Sequence, residues 1–425
     1  MSKVKMMRAR DKKKGDLAPR LRFPEFRDVG EWKIKKLSEL IKVIIPPKKL
    51  LTSEYQKSGL FPIVDQSQKY IAGWTNDKFS IIDKHQAVII FGDHTCILKL
   101  IESPFAQGAD GIKIFYCPYD VLTKYICQYL LFNPIKMEKY KRHFSILKEK
   151  SITYPNDKIE QQRIADCLSS LDERIAAETN KLDTLKDHKK GLLKQLFPAE
   201  GETLPQLRFP EFRNAGEWEN VQLGPQTTKV GSGVTPRGGD RNYIKQGRPF
   251  IRSQNVGWGE LILDDIVFIS EEIHRTFIST EIEKNDILLN ITGASIGRSA
   301  FADSRIAGGN VNQHVCIIRT KPSLLNSLFL MQYILSEYGQ KQVDSFQAGG
   351  NRQGLNFAQV KSFSIPTPPQ STVMQCACLE QQRIADCLSS LDELIAAQTQ
   401  KIDLLNEHKK GLMQQLFPRI DEVLA

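Results

Sequence analysis

With 425 residues, 41% of them hydrophobic and 25% charged, the chain has the composition of a globular protein of two or three domains. Its apolar runs are short, residues 87–91 (AVIIF) being typical, which argues against a membrane span, and the basic start at 1–20 lacks a signal peptide's apolar segment. Eight scattered cysteines suit the reduced thiols of a cytoplasmic protein, and a net charge of +10 raises the prospect of a polyanionic partner over a mere solubility charge.

The charge is unevenly placed. Residues 1–20 hold eight Lys and Arg against two acids, residues 33–159 twenty against twelve, and residues 219–379 fifteen against thirteen. The first stretch reads as a basic disordered tail. Residues 21–32 (LRFPEFRDVGEW) then open a segment that recurs at 207–218 (LRFPEFRNAGEW) with ten of twelve positions identical. The insert at 33–159 alternates β-rich runs with polar loops: strands are predicted over 87–91 and 111–116, and a helix over 123–132.

Residues 160–198 (EQQRIADCLSSLDERIAAETNKLDTLKDHKKGLLKQLFP) recur at 380–418 with thirty of thirty-nine positions identical. After a linker at 199–206, the second domain runs over 207–379, with strands over 287–292 and 314–319 and a helix over 324–337. A tail closes the chain at 419–425. The two inserts share no comparable identity, and a unit so long and so few in number is no solenoid. Expected is an α/β architecture with a pseudo-two-fold internal repeat: domains at 21–159 and 207–379, each followed by a long helix.

The repeated helix carries an apolar seam at steps of four and three, the heptad signature. In the first copy it runs Ile164, Leu168, Leu171, Ile175, Leu182, Leu185, Leu192, Leu196; in the second Ile384, Leu388, Leu391, Ile395, Ile402, Leu405, Leu412, Leu416. Glu178 and Lys189, then Gln398 and Lys409, interrupt the two seams with polar groups that set register at some cost in stability. Pro198 and Pro418 stop both helices, and Asp157 with Glu160 resembles a capping box. About 58 Å of helix with such a stripe is covered most simply if the two copies pack on each other as a coiled coil; packing of each copy on its own domain is the alternative. Heptads fix neither parallel nor antiparallel orientation.

The loops of both inserts are rich in groups that read base edges. The first offers Gln66, Lys69, Tyr70, Asp93, His94, Thr95, Gln107 and Asp110. The second offers Arg252, Gln254, Asn255, Asn290, Thr292, Ser295, Arg298, Asn310, Asn312, Gln313 and His314, then Gln347, Asn351, Arg352 and Gln353 between glycines. The same residue types also populate ordinary turns, so each position has both readings. No phosphate loop, dinucleotide fingerprint, metal spacing or nucleophile–base constellation occurs. Cys376 and Cys378 form a lone pair, and His188 and His408 lie in basic runs on the helices. A catalytic role for the chain itself is not expected, and Asp264-Asp265 and Glu271-Glu272 are too sparse for a nuclease centre.

The duplicated EQQRIAD helix ending in QLFP, with the duplicated LRFPEF segment, strongly resembles the specificity subunit of type I restriction–modification enzymes. Residues 291–298 (ITGASIGR) and 354–357 (GLNF) look like pieces of a target recognition domain. The resemblance implies that each insert reads one half of a bipartite, asymmetric sequence in double-stranded DNA, with the paired helices as the ruler between the halves. It implies two modification subunits docked on the helices, and restriction or motor subunits beyond them. S-adenosylmethionine, ATP and Mg would then sit on those partners, with no cofactor, metal or membrane for this chain. Residues 370–379 depart from the expected short junction before the second helix, and the basic tail at 1–20 would add nonspecific DNA affinity. A coiled-coil scaffold that gathers protein partners without reading DNA stands as the alternative.

Overall fold

The computed structural model describes residues 17–137, 142–347, 354–369 and 378–418. The tail at 419–425, most of that at 1–20 and nearly all of the 370–379 junction fall outside them. The chain divides into two compact units, residues 1–179 with 400–425 and residues 180–399, so the first is built from both ends of the sequence.

Unit 1 contains β1 (Lys33–Lys36), α1 (Leu37–Leu40), β2 (Lys42–Ile44), β3 (Phe61–Val64), β4 (Gly73–Thr75), β5 (Ile81–Ile82) and β6 (Val88–Gly92). β7 (Leu98–Ile101), β8 (Phe105–Gln107), β9 (Ile112–Tyr116), α2 (Thr123–Phe132), α3 (His143–Lys148) and β10 (Ser151–Tyr154) follow, and then the long helix α4 (Lys158–Leu196), which continues into unit 2. The strands form sheets β2-β9-β6-β7 and β4-β3-β8-β5 and the pair β1-β10. All of β6 is buried, as an uninterrupted apolar run requires. Ile89 and Phe91 face the cluster built with α2 and the long helices, while Val88 and Ile90 face the core with the second sheet.

Unit 2 contains β11 (Glu219–Gln222), β12 (Thr227–Ser232), β13 (Arg248–Ile251), β14 (Val267–Ile269), α5 (Glu271–Thr276), β15 (Ile287–Asn290) and β16 (Ser299–Phe301). β17 (Asn310–Val311), β18 (Val315–Thr320), α6 (Ser327–Leu335), α7 (Glu337–Ser345), α8 (Phe357–Lys361) and β19 (Ser364–Thr367) follow, and then α9 (Leu379–Leu416), which continues into unit 1. Its sheet β12-β18-β15-β16 repeats the path of β2-β9-β6-β7, the parallel pair β13/β17 repeats β3/β8, and β11-β19 repeats β1-β10. Two inserts without comparable identity therefore share one topology. The helix expected over 324–337 is instead two: Asn326 caps α6 at Phe329 N (3.0 Å), and Ser336 ends it and caps α7 at Gly339 N (3.2 Å).

The heptad positions of both long helices are buried or half-buried throughout, whereas His188 and His408 face solvent. Polar pairs give the direction. Within unit 1, Lys409 bonds Asp172 and Lys401 bonds Glu178, so the end of α9 runs antiparallel to the start of α4. Within unit 2, Lys189 bonds Asp392 at 2.6 Å. Three of the four polar interruptions, Glu178, Lys189 and Lys409, are thus members of ion pairs. Each Asp also receives an amide from its own domain: Gln128 Nε2 donates to Asp172 (2.9 Å), and Gln332 Nε2 to Asp392 (2.7 Å).

The repeated anchor segments hold the same helices. Arg22 grips Glu160 through two 2.7 Å bonds, and Arg208 grips Glu380 through two of 2.8 Å, each pair almost wholly out of solvent. Such a buried pair is costly to break, on the order of 3–5 kcal/mol for loss of one partner. Here the capping-box expectation needs correction. Asp157 does cap α4, accepting from Ile159 N at 2.8 Å, but the carboxylate of Glu160 is taken by Arg22.

Each helix ends in the core of the domain that follows it in a closed order. Phe197 sits 5.1 Å from Phe329 and 5.3 Å from Tyr333 in unit 2, ring centre to ring centre. Phe417 sits 5.3 Å from both Tyr129 and Phe132 in unit 1. Backbone bonds repeat the theme: Leu207 N donates to Gln195 O (2.8 Å) and Leu21 N to Gln415 O (2.9 Å). The helices accordingly pack on each other and on the domains as well.

Candidate nucleic-acid interface

In unit 1 the parallel strands β3 and β8 end at one edge, and three loops gather there, at 65–72, 93–97 and 108–111. They are tightly woven. Gln66 Nε2 donates to Asp110 O (3.2 Å), and Thr95 Oγ1 donates to Gln66 O (3.0 Å). Gly111 has φ +92°, and a Cβ there would lie 2.8 Å from both Gln66 Nε2 and His94 Cδ2, so only glycine lets these loops meet. His94, Thr95, Lys69 and Asp110 face solvent, while Tyr70 is exposed with its hydroxyl bonded to Leu100 O. Lys49 donates to Asp110 at 2.7 Å and holds that carboxyl below its usual range.

Two of the candidates in unit 1 point inward. Asp93 is buried; its Oδ1 accepts from Phe144 N (2.7 Å) and its carbonyl meets His143 Nδ1 (2.7 Å), so it anchors α3. Gln107 is 2% exposed and its carbonyl accepts from Leu50 N. Two organisers are absent from the sequence reading. Lys99 on β7 is 5% exposed and donates to Asp65 O (2.8 Å) and Lys69 O, pinning the loop that carries Gln66; burial pulls its pKa down. The Tyr55 hydroxyl accepts from Ala109 N at 2.9 Å. Neither carries a local signal, because each acts on backbone remote in sequence.

In unit 2 the equivalent edge gathers the loops at 233–238, 252–265, 291–298 and 312–314. Arg252 donates to Asp265 O (2.6 Å) and Oδ2 (3.1 Å) and lies 5.7 Å from the centre of the Tyr243 ring. Gln254 bonds the same Asp265. Thr292 Oγ1 meets His314 Nδ1 at 2.6 Å, Gln313 Nε2 meets His314 Nε2 at 3.1 Å, and Thr235 bonds Gln313. Ser295 and Arg298 close a tight turn (Arg298 N to Ser295 O, 3.2 Å) and are half-buried.

The asparagines of unit 2 are mostly internal. Asn255 ties Arg252 N, Ile262 O and Asp265 together; Asn290 donates to Ser253 O (2.9 Å); Asn310 bridges His274, Phe277 O and Thr280; Asn312 accepts from His314 N (3.0 Å). They build the loops and leave Gln254, Gln313, Thr292, His314 and Arg298 nearer the surface. Gln347 is half-buried, and Asn351, Arg352 and Gln353 lie outside the described residues. Among the described residues no group of His, Cys, Asp and Glu could hold a metal ion, and no helix is long and apolar enough to cross a membrane.

These paired loop edges can be set beside known proteins. The family model "Type I restriction modification DNA specificity domain" matches twice, over residues 30–187 and 216–407. The MjaVIII type I restriction enzyme specificity subunit of Methanocaldococcus jannaschii is 23% identical, over 93% of each chain. The EcoR124I/EcoR124II specificity subunit of Escherichia coli is 25% identical over 84% of this chain and 86% of its own. In fold, the chain is similar to the crystal structure of a type I restriction–modification S subunit from M. genitalium. That likeness has a TM-score of 0.64 at 15% identity and covers 95% of this chain and all of the other. The chain belongs to the family of type I restriction–modification specificity subunits, the non-catalytic members of those systems.

Proposed function

We propose that the chain reads a bipartite, asymmetric target in double-stranded DNA, one half-site through the loop edge of unit 1 and the other through that of unit 2. The observation that supports this most directly is the equivalence of the two edges. One topology presents two unlike sets of side chains at the ends of the same parallel strand pair, as two readers of different sequences would. The paired helices space the readers and dock two modification subunits, through which restriction or motor subunits join a cytoplasmic complex. S-adenosylmethionine, ATP and Mg act on those partners, and the methylated base is adenine.

The test replaces residues 33–159 with the corresponding insert of another such subunit and maps methylated adenines genome-wide. Only one half of the recognised sequence should change. A change in the other half, or wild-type complex that holds target and random duplex equally at fixed salt, refutes the proposal.

A further inference from the structure

Phe79 is among the most exposed large apolar side chains of the described residues, at 88%. It does not sit on a loose loop. Asp77 caps the turn Lys78–Ser80 by accepting from Phe79 N (3.0 Å), and its backbone N–H donates to Thr75 Oγ1 (3.1 Å). Ser80, fully buried, donates back to Asp77 O (2.7 Å), and Lys48 Nζ clamps the Asp77 carboxylate at 2.9 Å. The ring is therefore presented outward from a turn fixed by its own hydrogen bonds.

Strand register locates that turn. β5 pairs antiparallel with β8, Ile81 opposite Ala106 and Ile82 opposite Phe105. Ile81 is the first residue of β5, so the turn at Lys78–Ser80 adjoins the end of β8 from which the 108–111 loop leaves. Two consecutive lysines tie the turn to the loop edge: Lys48 bonds Asp77 in the turn at 2.9 Å, and Lys49 bonds Asp110 at 2.7 Å. Lys49 pairs with Gln107 in an isolated bridge on this edge, Lys78 is exposed beside the ring, and the whole insert carries twenty basic residues against twelve acids. A basic margin with one projecting aromatic ring matches duplex DNA, where an apolar wedge can enter between base pairs.

We infer that Phe79 is a DNA-contacting wedge that stacks into a base step beside the half-site read by unit 1. The inference rests on the DNA-reading function proposed above. Being exposed, the residue can be changed without disturbing the core. The assay uses the full chain assembled with its modification subunits, the duplex defined by methylation mapping, a random duplex, and 2-aminopurine walked through the half-site. Phe79→Ala should weaken target binding by about 10- to 100-fold and abolish the 2-aminopurine fluorescence rise, while Phe79→Trp retains both. The salt dependence should keep its slope, because no phosphate contact is lost.

Affinity and fluorescence unchanged in Phe79→Ala overturn the inference. So does a variant that binds DNA normally but fails to assemble with the modification subunits, which assigns the ring to a protein partner. Wild-type complex that cannot distinguish target from random duplex defeats the parent proposal instead, so the two failures are separable.

Discussion

Phe417 lies eight residues from the end of the sequence, yet it fills the core of unit 1. It is 1% exposed, within 5.3 Å of the Tyr129 and Phe132 rings and 5.7 Å of Tyr125, with Leu416 and Met413 in the same cluster. Replacing it by Ala removes the ring and leaves a cavity among aromatic groups that cannot easily collapse, a loss of about 3–5 kcal/mol. For a domain whose total stability is of the order of 5–15 kcal/mol, opening of unit 1 should become roughly a hundred- to several-thousand-fold more frequent. Hydrogen exchange on the intact chain, read by mass spectrometry, resolves where. Protection should fall in α2, β9 and β10, all more than 260 residues upstream by sequence, while α6 and β18 keep theirs. The matching Phe197→Ala change should do the reverse, exposing α6 and sparing α2. Loss of protection around residues 354–367 in the Phe417→Ala chain would refute the reasoning, for it would mean that the helix end serves the domain next to it in sequence.

Lys99→Met should leave Asp65 O and Lys69 O without their buried donor, raise exchange in the 65–72 loop and blunt discrimination at the first half-site. Because this ammonium neutralises no phosphate, the salt slope of binding should stay as it is; a slope smaller by about one would show direct DNA contact instead. A second expectation concerns alkali. Burial pushes the Cys117 and Cys127 thiols of unit 1 up to about 12 from an ordinary value of 9.0. The folded state thus keeps protons that the unfolded chain releases, so this contribution is intact below about pH 9 and is lost as pH rises toward 12, by about 1.4 kcal/mol per thiol per pH unit. Urea midpoints of unit 1 at pH 8 and pH 10 measure it, and a Cys117→Val, Cys127→Val chain with an unchanged alkaline slope would sink it.

Much of the scaffold was legible because repetition and periodicity report burial directly. The heptad positions from Ile164 to Leu196 and from Ile384 to Leu416 are the shielded ones, and the apolar run at 87–91 became a strand covered on both faces. Direction was not legible, since a heptad stripe serves parallel and antiparallel pairs equally; it is decided by Asp172 and Asp392, which look like ordinary surface acids until Lys409 and Lys189 come opposite. The loops were half legible. Gln66, His94, Gln254 and Gln313 do gather at the two edges, but Asn255, Asn290, Asn310 and Asp93 spend their hydrogen bonds on neighbouring backbone and side chains. Asn reads the same in sequence whether it faces a base or braces a turn. Lys99 and Phe79 were missed for opposite reasons: one is a cation whose burial only the fold reveals, the other an apolar side chain that pattern alone would place inside.

The division of unit 1 between the two ends of the chain has a consequence for how the protein is made. Unit 2 is continuous in sequence and can close its core as soon as its last residues clear the ribosome. The earlier-born unit must wait, with Tyr125, Tyr129 and Phe132 lacking the cover of Phe417, until residues 400–417 have been made. Order of birth and order of completion are reversed, and until then the growing chain carries an open aromatic face, which gives a chaperone something to hold.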